Sequence, residues 1–224
     1  MKLLQTQPSL AERVHQAVLS EVASGNLRPG ARIIQEQLAQ DLGVSRQPVQ
    51  QALALLKKQG VLHDAPGRGL IVAPLDIGLV QHMYDVRAAL EALAFRKAAE
   101  NNAARARTEG PHYMREGRRA MGKRSVGDMV AADMAFHSFI YELSGNPLIA
   151  PAMEVHWTNT QRVIGEVLLH ENKPDDIWNQ HEGLMEAVAA GNGKLAEKLA
   201  REHILDTAAF TVARLRAAER RRLS

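Results

Sequence analysis

Apolar residues recur at helical spacing through most of the chain, and the interruptions fall at Gly, Pro and Asn. Val14, Ala17, Val18 and Val22 share one face of a helix predicted over 10–23. Pro8-Ser9 starts it, and the run from Gly25 to Gly30 stops it. A short helix is expected over 35–42, then a tight turn at Gly43-Val44. Ser45 is the expected N-cap of a third helix that reaches about Gln59 and is ended by Gly60. Residues 61–64 and 70–72 read as two short strands joined by Ala65-Pro66-Gly67-Arg68-Gly69. After Pro74 the pattern is helical throughout, with expected spans 76–101, 112–122, 126–144, 147–170, 174–190 and 193–218. The clearest breaks are Gly145-Asn146-Pro147 and Gly191-Asn192-Gly193.

This order predicts a mainly α chain of two parts. Residues 1–74 form an α+β unit with the layout of a winged helix-turn-helix, and 75–224 form an all-α antiparallel bundle. In the first part Ala39 is small enough for a close helix crossing, and Gly43 tolerates the positive φ of the turn. Leu38, Leu42, Val44, Val49, Leu53 and Leu56 supply the apolar seam. That leaves Ser45, Arg46, Gln47, Gln50 and Gln51 exposed at the start of the third helix, with Arg68 at the tip of the strand loop. Arg pairs with guanine or phosphate, Gln bonds adenine through two hydrogen bonds, and a helix N-terminus favours phosphate.

Charge sharpens this reading. The net charge of +3 lies wholly in residues 1–74, where eight Lys/Arg stand against five Asp/Glu; residues 75–224 hold twenty of each. Such an excess points to a polyanion partner for the first part. Aromatic residues are only 4% of the chain, which disfavours β-sandwiches and barrels. The absence of cysteine excludes disulfides, thiolate zinc sites and cysteine nucleophiles. No apolar run reaches the length of a membrane span, and MKLLQTQPSLAERV lacks the pattern of a leader, so a cytoplasmic protein is expected.

In the helical part three histidines interrupt apolar stripes. Asp133 and His137 lie one turn apart on the face of Met129, Phe136 and Ile140. His181 lies with Ile177, Leu184 and Val188, and His203 with Ala196, Leu199, Asp206 and Phe210. Burying such groups without compensation is costly, and a divalent cation compensates them. Asp133, His137, His181 and His203 are the expected ligands. Three imidazoles and a carboxylate suit zinc, nickel, iron(II) or manganese alike. Arg87 and Arg162 are the candidate cations for holding an acidic ligand, or are members of internal salt bridges. Trp157 and Trp178 can wall a pocket or fill core.

The stretches Leu27-Arg28-Pro29-Gly30-Ala31-Arg32-Ile33, Leu38 to Val49 and Gly60-Val61-Leu62 resemble the DNA-binding domain of GntR-type bacterial transcription regulators. The resemblance implies operator contacts from Arg46, Gln47 and the wing Gly67-Arg68-Gly69, with Arg32 grouped beside them. One departure stands out: family members commonly carry Arg-Glu after the Pro-Val pair, where this chain has Gln50-Gln51. From Asp133-x3-His137 through Ser144-Gly145-Asn146-Pro147, His181-Glu182 and Ala190-Gly191-Asn192 to His203, the chain resembles the FCD ligand-binding domain of the FadR-type branch. That resemblance implies a metal-binding domain that takes small organic acids, a homodimer on palindromic double-stranded operator DNA, and repression as the commoner outcome.

Two alternatives compete with an effector-responsive regulator. One is a metal-dependent hydrolase or oxygenase fused to a DNA-binding module, and the other is a pure metal sensor. Against the enzyme, no G-x-S-x-G or H-E-x-x-H motif is present, and Glu182 and Glu202, each next to a ligand, point about 100° away on their helices.

Overall fold

A computed structural model describes residues 8–123, 125–168 and 174–223, and the chain divides into two compact units, Met1–Pro74 and Leu75–Ser224. In the first unit α1 (Leu10–Ala23) starts in a capping box: the Ser9 hydroxyl accepts from Glu12 N, while Ser9 N donates to the Glu12 carboxylate. Helices α2 (Gln35–Asp41) and α3 (Arg46–Lys58) flank a turn in which Gly43 has φ 62°. Val14, Val18 and Leu19 of α1 and Val49, Leu53 and Leu56 of α3 form the core with Val61, Leu62 and Val72.

A three-stranded antiparallel sheet closes this unit in the order β1 (Arg32–Ile33), β3 (Leu70–Val72), β2 (Leu62–Asp64), with Ile71 opposite both Arg32 and His63. β1 was not expected, because two residues carry no alternation. Leu42 departs from its expected place in the seam: it is the C-cap of α2 and stands 38% exposed.

The second unit is all helical: α4 (Ile77–Gly122), α5 (Val126–Ser144), α6 (Ile149–Leu168), α7 (Pro174–Ala189) and α8 (Gly193–Leu223). The expected break between 101 and 112 is replaced by one 46-residue helix whose torsions leave the helical region only at Asn102 (φ −139°, ψ 32°). Asn101 and Asn102 donate their side-chain amides to the carbonyls of Ser144 and Leu143, satisfying the C-terminal end of α5. Pro111 lies on the solvent side of α4, and packing against α5, α7 and α8 outweighs its cost of about 3 kcal/mol.

Gly110 does not break the helix either. A Cβ there would stand 2.6 Å from Met185 Sδ, and one at Gly117 would stand 2.0 Å from the Trp178 ring, so both glycines allow α7 to approach α4. Phe95, Phe136, Phe139, Leu143 and Trp178 lie at the centre of the main core. The α8 helix runs past the expected end at 218, and residues 169–170 of the expected span 147–170 lie outside the described residues, as does His170. Among the described residues no helix is long and apolar enough to cross a membrane.

Candidate functional site

Two places gather chemistry, one in each unit. In the first, Ser45 is the N-cap of α3, but its side chain makes no capping bond. Arg46, Gln47, Gln50 and Gln51 are exposed as expected. The Arg46 guanidinium pairs with the Glu36 carboxylate of α2, while Gln35 donates to the Arg46 carbonyl. Gln47, Gln50 and Gln51 make no side-chain hydrogen bond among the described residues.

The wing turns through Gly67 (φ 89°) and Gly69 (φ 97°), with Arg68 exposed between them. Arg32 donates from Nε to the Arg68 carbonyl at 3.0 Å and from Nη2 to the Pro66 carbonyl. Its position braces the wing from β1, which leaves Arg68 as the outward cation.

In the second unit the four expected ligands come together from three helices. His181 Nε2 of α7 lies 3.3 Å from His203 Nε2 of α8 and 3.5 Å from Asp133 Oδ1 of α5. His137 Nε2, one turn beyond Asp133, lies 3.9 Å from its Oδ2, and the donor atoms of the three imidazoles all fall within 4.8 Å of one another. Donors bound to one ion at about 2.1 Å stand roughly 3.0–3.4 Å apart. The pairs that His181 makes with His203 and Asp133 already stand close to that spacing, His137 and Asp133 stand about 0.5 Å beyond it, and the three imidazoles stand at most about 1.4 Å beyond it.

The far sides of two rings face side-chain oxygens. His137 Nδ1 lies 2.5 Å from Glu91 Oε2 of α4, and His203 Nδ1 lies 2.7 Å from Gln180 Oε1. With Nδ1 turned to these oxygens, each Nε2 faces the cluster, where it offers a lone pair once the ring is neutral. His181 is held from the other direction, stacked on Phe136 with ring centroids 4.4 Å apart and edge-on to Trp178 at 4.9 Å.

Burial sets the electrostatics. It pushes the Asp133 carboxyl up and holds His181 well below its ordinary value, helped by His203 and His137; it holds His203 down at about 3. Burial also opposes the charge on His137, but Glu91 beside it overcomes that and the imidazole is held up. Glu91 itself is held low despite burial, by Arg87 first and then by His137. A cation among Asp133, His181 and His203 would accept the lone pairs of the two neutral imidazoles and favour the ionised form of the raised carboxyl. By the chemistry of the donors and the orientation of the rings, the residues fit a divalent metal.

Arg87 and Arg162 part company. Arg87 is buried, bonded to Glu91 Oε1 at 2.7–2.8 Å, and lies 4.8 Å from the Tyr84 ring centre. It also walls a small cavity with Tyr84, Asp133, His137 and His203, in which about 20 Å³ is open to the centre of a water molecule. That is room for a water or an ion. Arg162 is buried on α6, donates to Asn159 Oδ1 at 3.2 Å and is lowered by burial to about 10, but it is not among the described residues that wall the cavity.

Glu91 and Gln180 were missed as partners of the site. A signal for the first was present: Arg87 and Glu91 are two charges one turn apart on a face otherwise made of Ala88, Ala92 and Phe95. On α8, Asp206 is exposed where an inward position was expected, and Ile204 and Thr211 are buried instead. Glu182 pairs with Arg118 at 2.6 Å and Glu202 with Lys198 at 3.8 Å, both at the surface and away from the imidazoles.

Comparison with known proteins agrees with this division. The family model "Bacterial regulatory proteins, gntR family" matches residues 10–72, and "FCD domain" matches residues 82–206. The chain is 30% identical over 206 residues to the HTH-type transcriptional regulator LutR of Bacillus subtilis, covering 82% of this chain and 92% of that one. It is 22% identical over 199 residues to the HTH-type transcriptional repressor RspR of Escherichia coli, with 89% and 87% covered. In fold it is similar to the solved structure of McbR/YncC from E. coli (TM-score 0.77, 23% identity, 93% of this chain and 99% of that one). A GntR-type regulator from Rhodococcus is also similar (TM-score 0.73, 21% identity, 92% and 99%).

Proposed function

Because the chain belongs to the GntR family of bacterial transcription regulators that carry an FCD domain, we propose that it is a cytoplasmic, homodimeric repressor whose operator affinity is set by a ligand of the helical domain. Residues 1–74 are the DNA-binding domain. Arg46, Gln47, Gln50 and Gln51, at the start of α3, enter the major groove of a palindromic double-stranded site, with Ser45 at the backbone and Arg68 of the wing reaching the adjacent groove or phosphates. Residues 75–224 hold the metal and the effector and join the two subunits. Family membership places the chain among regulators rather than enzymes, in keeping with Glu182 and Glu202 being paired at the surface.

The metal half of this reading rests on one observation: Asp133, His137, His181 and His203 converge, with the far ring nitrogens of His137 and His203 facing Glu91 and Gln180. A bound divalent ion supplies an electrophile for the carboxylate of a small acid. Arg87, held by Glu91 at the cavity wall, supplies the cation beside it, with Arg162 the second candidate. Ligand binding and DNA binding are then linked, each altering the other by the same factor.

A signal consisting of the metal alone is the second reading. The observation favouring it is the small cavity, which takes an ion or a water as it stands, whereas an acid needs the walls to part.

Metal content of the purified protein, followed by thermal-shift titration with small carboxylic acids before and after chelation, tests both readings. A ligand that binds only the folded state raises its stability with concentration. Stabilisation by an acid only in the metal-loaded protein supports the first reading. Operator affinity that tracks metal with no acid present supports the second. If no metal is found, and alanine at His137, His181 and His203 changes neither acid binding nor DNA binding, both fail.

A further inference from the structure

The exposed face of α3 determines which base pairs the helix selects in the major groove. From residue 46 to 58 this helix carries no Asp or Glu, so its exposed face offers no carboxylate to accept from the cytosine amino group. Its cation at the entry, Arg46, is paired with Glu36, and Lys57, three turns on, is paired with Asp64 of β2 at 2.7 Å. Between them stand Gln47, Gln50 and Gln51, exposed and without partners among the described residues. Gln50 and Gln51 stand three and four residues beyond Gln47 and flank it, so the three lie within an arc of about 100° on one side of the helix.

We propose, resting on the DNA-binding reading of this domain, that the three carboxamides of Gln47, Gln50 and Gln51 read adenine, and that each operator half-site places adjacent A·T pairs under the first two turns of α3. A Gln carboxamide accepts from adenine N6 and donates to N7 at once, the pairing that matches its two ends; guanine, with two acceptors on that edge, calls for a guanidinium or ammonium. From Gln47 to Gln51 the helix rises about 6 Å, close to two steps of a duplex at about 3.4 Å each, so neighbouring pairs come within reach. Ala54, exposed one turn beyond Gln50, presents a methyl group suited to the thymine methyl of the same pairs. The adenines can lie on either strand.

Selection of the full-length protein against a pool of randomised duplexes, followed by titration of the enriched duplex, tests this. The enriched half-site is expected to hold adjacent A·T pairs, and 7-deazaadenine at those positions, which removes N7 alone, is expected to weaken binding about tenfold. Gln47→Ala, Gln50→Ala and Gln51→Ala should each reduce the ratio of enriched to random-duplex affinity by a similar factor. Each should also relax preference at its own base pair, while Arg68→Ala weakens both duplexes alike.

Enriched sites with G·C at the positions sensitive to the Gln substitutions would overturn the adenine assignment, as would Gln variants that weaken all duplexes equally. Salt-dependent binding without enrichment overturns it too and leaves the DNA-binding reading standing. No binding to any duplex removes that reading with it.

Discussion

The Oε2 atom of Glu91 lies 2.5 Å from Nδ1 of His137, joining α4 to α5 at a point where both side chains are almost completely buried. The other carboxylate oxygen of Glu91 holds Arg87, so one buried anion serves an imidazole on one side and a guanidinium on the other. It orients the imidazole and raises its basicity toward whatever Nε2 binds.

Replacing this carboxylate by an amide separates orientation from charge. Glu91→Gln is expected to weaken affinity for zinc or nickel by about 10–100-fold, as measured by competition with a chelator of known strength. Glu91→Ala is expected to cost about 3–5 kcal/mol in denaturant unfolding of the metal-free protein, because it strands the Arg87 charge in the core. Unaltered metal affinity in Glu91→Gln would mean that the Glu91 charge does not tune the site through His137.

The metal-free protein should lose stability as the solution is acidified. The folded chain keeps His203 down at about 3 and His181 well below its ordinary value, while the unfolded chain protonates both near pH 6.5. Stability therefore falls as pH drops from about 6.5 toward 3, by up to about 2.7 kcal/mol per pH unit for two protons. His137, raised by Glu91, works oppositely: its contribution is complete below about 6.5 and fades as pH climbs through its folded value. Asp133, raised by burial, takes up its proton earlier in the folded chain and so works against the acid limb, while Arg87 faces the same cluster as a fixed charge. Calorimetry between pH 4 and 8 after chelation measures this, and His181→Gln should flatten the acid limb.

Two glycines on α4 make a prediction about packing. Gly117→Ala places a methyl 2.0 Å from the rigid Trp178 ring and should destabilise by about 1–3 kcal/mol or more. Gly110→Ala meets Met185, whose flexible chain can move aside, and should cost less. Chemical denaturation of the two variants checks the order; equal costs would mean that α4 and α7 separate readily.

The two wing arginines should behave differently. Arg68→Ala is expected to lower DNA affinity for all sequences and to reduce the slope of log affinity against log salt by about 1. Arg32→Ala removes the brace on the Pro66 and Arg68 carbonyls, so it should also speed amide exchange in residues 65–69. Similar exchange in wild type and Arg32→Ala would reject the bracing role.

Local signals in the sequence carried most of the element order. The Ser9–Glu12 capping box, Gly60 and Gly145 mark helix ends through torsions and hydrogen bonds made within a few residues, and these are readable wherever they occur. The i, i+4 spacing of Asp133 and His137 fixes their common face by helix geometry alone. Tertiary structure decided the rest. Gly110-Pro111 carries the chemistry of a break, yet the long face of α4 buried against three other helices keeps it helical. Arg32 became a brace, and the two-residue strand β1 formed, through pairing with residues more than thirty positions away. Glu91 and Gln180 became partners of His137 and His203 because α4, α5, α7 and α8 pack to within hydrogen-bond distance there. Spacing along one helix says which way a side chain faces; only the packing between helices says what it meets.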